Sequence, residues 1–217
     1  MLPSVLRVEL LSDTTCGNGE GTPGEVDIEL EHDHLGLPVI GGKALHGVLR
    51  ETWLGMSACF PELSEAGRRV FGLPGAFDEA TILHIGNAEL PADVRWWVEA
   101  AVLRKSPAPI APGRILRAFT GIRRQTSESR TTGSPKDGTL RSSRVAIRGL
   151  SLEAPLTWCV PSGCSPTDED LKVLAMAALG SRHIGLARNR GRGHVKLSLL
   201  DESHDVTRRL ARVGGES

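Results

Sequence analysis

The stretch DHLGLPVIGGKALHGVLRE, residues 33–51, changes its period in the middle, and that change decides the fold. Residues 33–36 read as a turn, and Leu37, Pro38, Val39 and Ile40 form a short apolar run. Gly41 and Gly42 then break the chain, since a glycine pair permits a sharp turn and lets backbone N–H groups point outward. Beyond them Leu45, Val48, Leu49 and Trp53 recur at helical spacing on one face, which marks the first clear helix.

Working outward, residues 2–11 alternate around Val5, Val8 and Leu10 and predict an opening strand. Residues 12–24 are too rich in Gly, Thr and Asn for a regular element, and residues 26–30 alternate again. On the other side, the pattern predicts a short helix over 62–70, a strand within 80–90 and a helix over 92–103 that carries Trp96 and Trp97. Three prolines make 106–112 an extended connection, followed by a strand over 115–123 and a polar hairpin tip over 124–138. Strand character returns over 140–150 and 152–160. Ser165 reads as a helix cap with Pro166 in first position, and Leu171, Leu174, Ala175 and Ala178 give that helix its apolar face. A last strand covers 195–199.

The order strand, helix, strand, then strand, helix, strand predicts an α+β fold: a ferredoxin-like, RRM-like antiparallel sheet with helices on one face. Residues 1–205 are expected to form one domain, with an inserted basic linker and arm at 106–148 and a polar tail at 206–217.

Charge is sorted along this chain. The sequence holds 26 basic and 26 acidic side chains, yet between Arg104 and Arg148 eleven basic residues face only Glu128 and Asp137. From Arg182 to Lys196 five more basic residues follow with no acidic one. A fold that joins the two blocks presents one positive face to a polyanion, and nucleic acid is the polyanion expected. Aromatics make up 4% of the chain and Tyr is absent, which argues against base stacking on a sheet and for backbone contacts by arginine. Arg188, Arg190 and Arg192, interleaved with glycines, offer forked donors to phosphate oxygens. Arg123, Arg124, Arg141 and Arg144 form the basic arm, which runs on to Arg148. This glycine-rich turn is no P-loop, because it lacks the closing Gly-Lys-Ser/Thr and follows a helix.

Other chemistries find little support. Gly-x-Ser-x-Gly, His-Glu-x-x-His and a dinucleotide glycine loop after the first strand are all missing. Cys16, Cys59, Cys159 and Cys164 show no C-x-x-C spacing and read as free thiols of a cytoplasmic protein, with a zinc site from Cys159, Cys164 and His183 as the minor alternative. No run of eighteen apolar residues predicts a membrane span.

Residues 33–51 resemble the signature of the RAMP superfamily, the repeat-associated RNA-binding proteins of CRISPR systems. There an Asp-x-x-Gly-x-Pro-x-Ile-Pro-Gly segment precedes a helix with a Lys-Gly-x-x-Arg core. Here Gly41 stands in place of the second Pro and His46 in place of that Lys. Residues 119–150 resemble the inserted thumb of the superfamily, and residues 184–195 its glycine-rich closing loop. The best fit is to type III effector-complex subunits of the backbone or crRNA-capping kind. The resemblance implies a subunit that binds crRNA, helps to position target RNA and packs head to tail with other subunits. Lys43, His46 and Arg50 join the arginines named above as its RNA-binding residues.

In cleaving backbone subunits of that family an Asp precedes the acidic residue of the signature by six positions, the spacing of Asp27 to Asp33. The resemblance therefore implies Asp27 as a ligand for Mg2+ or Mn2+ in target-RNA cleavage, with no tightly bound cofactor otherwise, and His32 or His34 as groups for proton transfer. Three alternatives stay open: Asp27, His32 and His34 as turn and surface residues; pre-crRNA processing with His46 one turn before Arg50; and an assembly module whose basic face meets acidic neighbours. Asp13 is a further acid to which the resemblance assigns no role.

Overall fold

The computed structural model describes residues 2–72, 81–104, 108–129, 131–160 and 165–212. In chain order its elements are β1 (Val5–Leu10), α1 (Gly42–Met56), α2 (Ser64–Phe71), β2 (Leu83–Ile85), α3 (Ala92–Leu103) and α4 (Pro112–Phe119). There follow β3 (Thr120–Gln125), β4 (Arg141–Ala146), β5 (Ser151–Trp158), α5 (Asp168–Gly180), β6 (Val195–Asp201), β7 (His204–Asp205) and α6 (Thr207–Arg212).

β1 has neighbours on both sides because every second side chain is apolar: Leu6, Val8 and Leu10 are buried while Val5, Arg7 and Glu9 are only half covered. It pairs antiparallel with β5 and with β6, and Val8 sits opposite both Leu152 and Leu197. The five-stranded sheet runs β2-β5-β1-β6-β7, so β1-α1-β2 and β5-α5-β6 are the two halves of a ferredoxin-like sheet. Thumb strands β3 and β4 form a separate two-stranded sheet between those halves.

Helices α1 and α5 pack on each other over the apolar face. Leu45, Leu49 and Trp53 of α1 and Leu171, Leu174, Ala175 and Ala178 of α5 join Leu6, Val8, Leu152 and Leu199 in one core. Gly42 earns its place by proximity, since a Cβ there would lie 2.1 Å from the carbonyl oxygen of Ile85. The opposite sheet face is polar and pairs its own charges: Arg7 reaches Glu153 at 2.8 Å and Lys196 approaches Glu9 at 3.9 Å.

Four expectations change. The strand expected over 115–123 is largely helix: Pro112 opens α4, and Ile115, Leu116 and Phe119 share one helical side, so extended structure begins at Thr120. Residues 26–30 make isolated bridges instead of a regular strand, with Ile28 parallel to Ser143. The cap of α5 is Thr167 instead of Ser165, because Thr167 and Asp170 bond reciprocally as a capping box and Arg69 of α2 clamps Asp170 at 2.9 Å. Within the tail expected at 206–217, Val206, Thr207 and Leu210 are buried and α6 packs against α5; residues 213–217 lie outside the described residues.

The core and cap rank differently. Leu174→Ala is expected to lower unfolding stability by about 2–5 kcal/mol, and Thr167→Ala by about 0.5–2 kcal/mol, measured as a shifted urea midpoint at unchanged slope. Equal losses would contradict this ranking.

Candidate nucleic-acid interface

A strap of four residues, Ser12, Asp13, Thr14 and Thr15, runs between the thumb and the glycine-rich loop and bonds to both. Toward the thumb, Thr14 exchanges backbone bonds with Ala146, and the Thr15 hydroxyl donates to the Arg144 carbonyl at 2.9 Å. Toward the loop, the N–H groups of Leu186 and Gly193 donate to the carbonyls of Thr15 and Asp13. Gly185 sits so close that a Cβ would lie 2.3 Å from the Thr15 carbonyl oxygen, and its φ of +71° lies in the left-handed region that favours glycine. The short Ser12 side chain accepts from the His194 N–H at 2.9 Å.

This strap brings the two basic blocks together. Arg190 reaches Gln125 of β3 at 3.4 Å, and Arg192 reaches Ser143 of β4 at 2.8 Å. A cleft of about 700 Å³ is lined by Glu51, His183 and residues 185–190. It adjoins a second of about 300 Å³, lined by Gln125, Thr126, Ser127, Thr139, Arg141, Ala187 and Arg190. Ala187 and Arg190 line both, so they form one open groove between loop and hairpin. Ala187 adopts φ +58°, a left-handed conformation uncommon outside glycine, at the turn that projects Arg188 and Arg190. Arg188 pairs with Glu51 at 3.3 Å, and both side chains remain largely exposed. Arg124 and Arg141 are exposed on the hairpin.

Arg144 is a correction to the expected RNA-binding set. Its side chain is only 4% exposed, with Nε donating to Glu29 at 2.8 Å and Nη2 to Glu25 at 2.5 Å. The other Glu29 oxygen accepts from Thr22 at 2.8 Å. A guanidinium buried between two carboxylates has no free fork for phosphate. It fastens residues 22–29 to β4 instead.

Fastened in that way, Asp27 lies beside Ser142. Its carboxylate accepts from the Ser142 N–H at 2.6 Å and from the Ser142 hydroxyl at 2.9 Å. These two bonds, the backbone one first, hold the exposed carboxyl below the usual aspartate range despite a small opposing desolvation, and the Arg141 charge adds to them. Asp33 does a turn's work, its side chain accepting from Leu35 and Leu37 N–H groups at 2.9 Å. His32 and His34 are exposed beside it, and among the described residues neither is bonded to Asp27. No group of three His, Cys, Asp or Glu that could hold a metal occurs among the described residues. Asp27 fits a divalent ion only as a single protein ligand, with RNA phosphates and water completing the shell, as Mg2+ commonly accepts.

On α1, His46 turns away from the groove, edge-to-face with Phe71 of α2 at 5.7 Å. Burial, and next the Arg50 charge, push its pKa below the usual histidine value, which disfavours the charged form a phosphate contact would use. Lys43 is exposed and Arg50 half-exposed on the same helix, whereas Glu51 is the α1 residue that lines the cleft. Sequence reading passed over the stacked pair His183 and His194, 5.2 Å apart at the base of the loop. Only their positions flanking the arginine-glycine run could have signalled it. Cys164 of the zinc alternative lies outside the described residues. Cys16, Cys59 and Cys159 are free, and burial pushes the Cys16 thiol up to about 12. No helix among the described residues is long and apolar enough to cross a membrane.

Neither a family model nor a curated protein matches the sequence. Solved structures match the fold. A chain from the cryo-EM structure of the type III-B Cmr-beta bound to cognate target RNA superposes with a TM-score of 0.65 at 12% identity, covering 91% of this chain and 96% of that one. A chain of the Cmr-beta apo state gives a TM-score of 0.65 at 12% identity, over 94% and 99%. This chain therefore shares the fold of these Cmr-beta chains.

Removing Arg144 isolates Glu29, whose side chain is 7% exposed. Arg144→Ala is expected to cost about 3–5 kcal/mol in urea unfolding, with Arg144→Ala/Glu29→Ala less destabilised than the sum of the single variants. Additive losses would show that the pair is not coupled.

Proposed function

We propose that this chain is a crRNA-binding structural subunit of a type III CRISPR effector complex, gripping the RNA backbone in the groove between thumb hairpin and glycine-rich loop. One observation carries this reading: basic blocks more than thirty residues apart meet through Arg190 at Gln125 and Arg192 at Ser143, leaving Arg141, Arg188 and Arg190 exposed around an open trough. Arginine forks suit phosphate oxygens, and a trough lined by no Phe, Trp or Tyr suits a reader of backbone instead of base. The fold match to Cmr-beta chains, one of them from the complex bound to cognate target RNA, supports an effector-complex setting. In that setting the chain would pack head to tail with other subunits and help to position target RNA. The polar sheet face, with Arg7 and Glu153 paired and no aromatic side chain among β1, β5 and β6 except Trp158, offers no rival stacking platform.

Binding of single-stranded RNA to the triple variant Arg141→Ala/Arg188→Ala/Arg190→Ala tests the reading. The slope of log K against log salt is expected to flatten by about 2 if each arginine meets one phosphate. Unchanged affinity and slope would sink it.

A second reading, metal-dependent cleavage of target RNA, is favoured by one feature, the exposed Asp27 carboxylate kept ionised by Ser142. A bound divalent ion would supply charge stabilisation at the scissile phosphate, while Asp27 would hold one coordination position and Ser142 would fix its orientation. In the assembled complex Asp27→Asn is expected to abolish cleavage at one register and to keep target binding; persistent cleavage there rules Asp27 out. Because Ser142 lowers the carboxyl's pKa, loss of activity through Asp27 protonation is expected only below the usual aspartate range, and an acid limb at a higher pH would point to another group.

A further inference from the structure

Asp13, left without a role by the sequence, lies at the meeting point of three arginines on the other side of the glycine-rich loop from the groove residues Arg188 and Arg190. A cleft of about 470 Å³ is lined by Leu11, Ser12, Asp13, Arg123, Arg148, Gly191 and Arg192. Every bond Asp13 makes arranges this cleft. One carboxylate oxygen accepts from Arg123 Nε at 2.7 Å and lies 2.5 Å from its Nη2, the other accepts from the Arg148 N–H at 3.2 Å, and its carbonyl accepts from the Gly193 N–H at 3.0 Å.

We infer that this cleft binds one further phosphate group of the RNA, with Asp13 as the positioning residue. This rests on the groove reading above and extends it to a site of its own. Three guanidinium groups against one carboxylate leave the lining with a net positive charge of two, which favours an anion beyond Asp13 itself. Asp13 occupies one edge of the Arg123 fork and leaves the other edge as a donor. Arg192 is oriented by Ser143. Arg148 is exposed, and among the described residues its side chain makes no hydrogen bond or ion pair, so it is the one lining arginine whose charge the fold itself does not use. A phosphodiester within the chain and a phosphomonoester at its end share the chemistry this lining recognises.

The test compares full-length protein with its Arg148→Ala and Arg148→Lys variants, using one single-stranded RNA with 5′-hydroxyl, 5′-phosphate or 3′-phosphate ends, across a salt series. Arg148→Ala is expected to weaken binding several-fold at low salt and to flatten the salt slope by about 0.7, with Arg148→Lys restoring the slope. A loss equal for all three RNAs assigns the cleft to a backbone phosphate, and a loss confined to one phosphorylated end assigns it to that terminus. Thermal unfolding is expected to stay unchanged, which separates lost contact from lost structure. Unchanged RNA binding in Arg148→Ala, while the Arg141, Arg188 and Arg190 triple variant is weakened, overturns the cleft and leaves the groove standing. Unchanged binding in both overturns the groove as well.

Discussion

Arg144 is a charge that this fold cannot leave alone. Its guanidinium is sealed between Glu29 and Glu25, and the energetic asymmetry of buried pairs makes the arrangement all-or-none: together the charges are tolerated, and either one alone is costly. The pair locks residues 25–29 along β4. That lock sets Asp27 beside Ser142, and the Thr15 bond to the Arg144 carbonyl carries the constraint into the strap that holds the glycine-rich loop. Thumb, strap and loop are thereby one construction, and the groove inherits its shape from the buried contact of Arg144 with Glu29.

This arrangement separates tasks that a simpler sheet protein combines. The helix-covered face of the sheet supplies stability through Leu6, Val8, Leu49 and Leu174. The opposite face neutralises itself through Arg7 with Glu153 and Lys196 with Glu9. Uncompensated positive charge is left to the thumb and the loop, where Glu51 and Asp13 hold Arg188 and Arg123 in defined places. Exposed pairs such as Arg188 with Glu51 contribute little to stability and are easily exchanged for a phosphate. A neutral total charge thus conceals a polarised surface.

Much of this was legible in the sequence where local chemistry is decisive. The glycine pair before α1, the apolar faces of α1 and α5, the alternation of β1 and the polar hairpin tip all carry their own periods, and the ferredoxin-like order followed from them. The residues of 112–119 misled because an apolar pair beside arginines suits a strand as well as a helix, and Pro112 at its head settles the matter only once the helix is formed. Ser165 and Thr167 each precede an acid by three residues, so both fit a capping box; Arg69, distant in sequence, favours Asp170 and hence Thr167. The arginines were the hardest case. Arg141 and Arg144 look alike in the chain, yet β4 turns one outward and buries the other under Glu29, a distinction set by long-range register. Asp13 was left without a role for the same reason, since its partners are a hundred or more residues away.

Amide hydrogen exchange with and without bound single-stranded RNA tests the central claim most directly, that thumb and glycine-rich loop act as one RNA groove. The account predicts that RNA slows exchange in residues 120–127 and 186–193 together, while amides of β1 and β5 in the sheet are unaffected. Protection centred on the sheet, or on one of the two segments without the other, would contradict it.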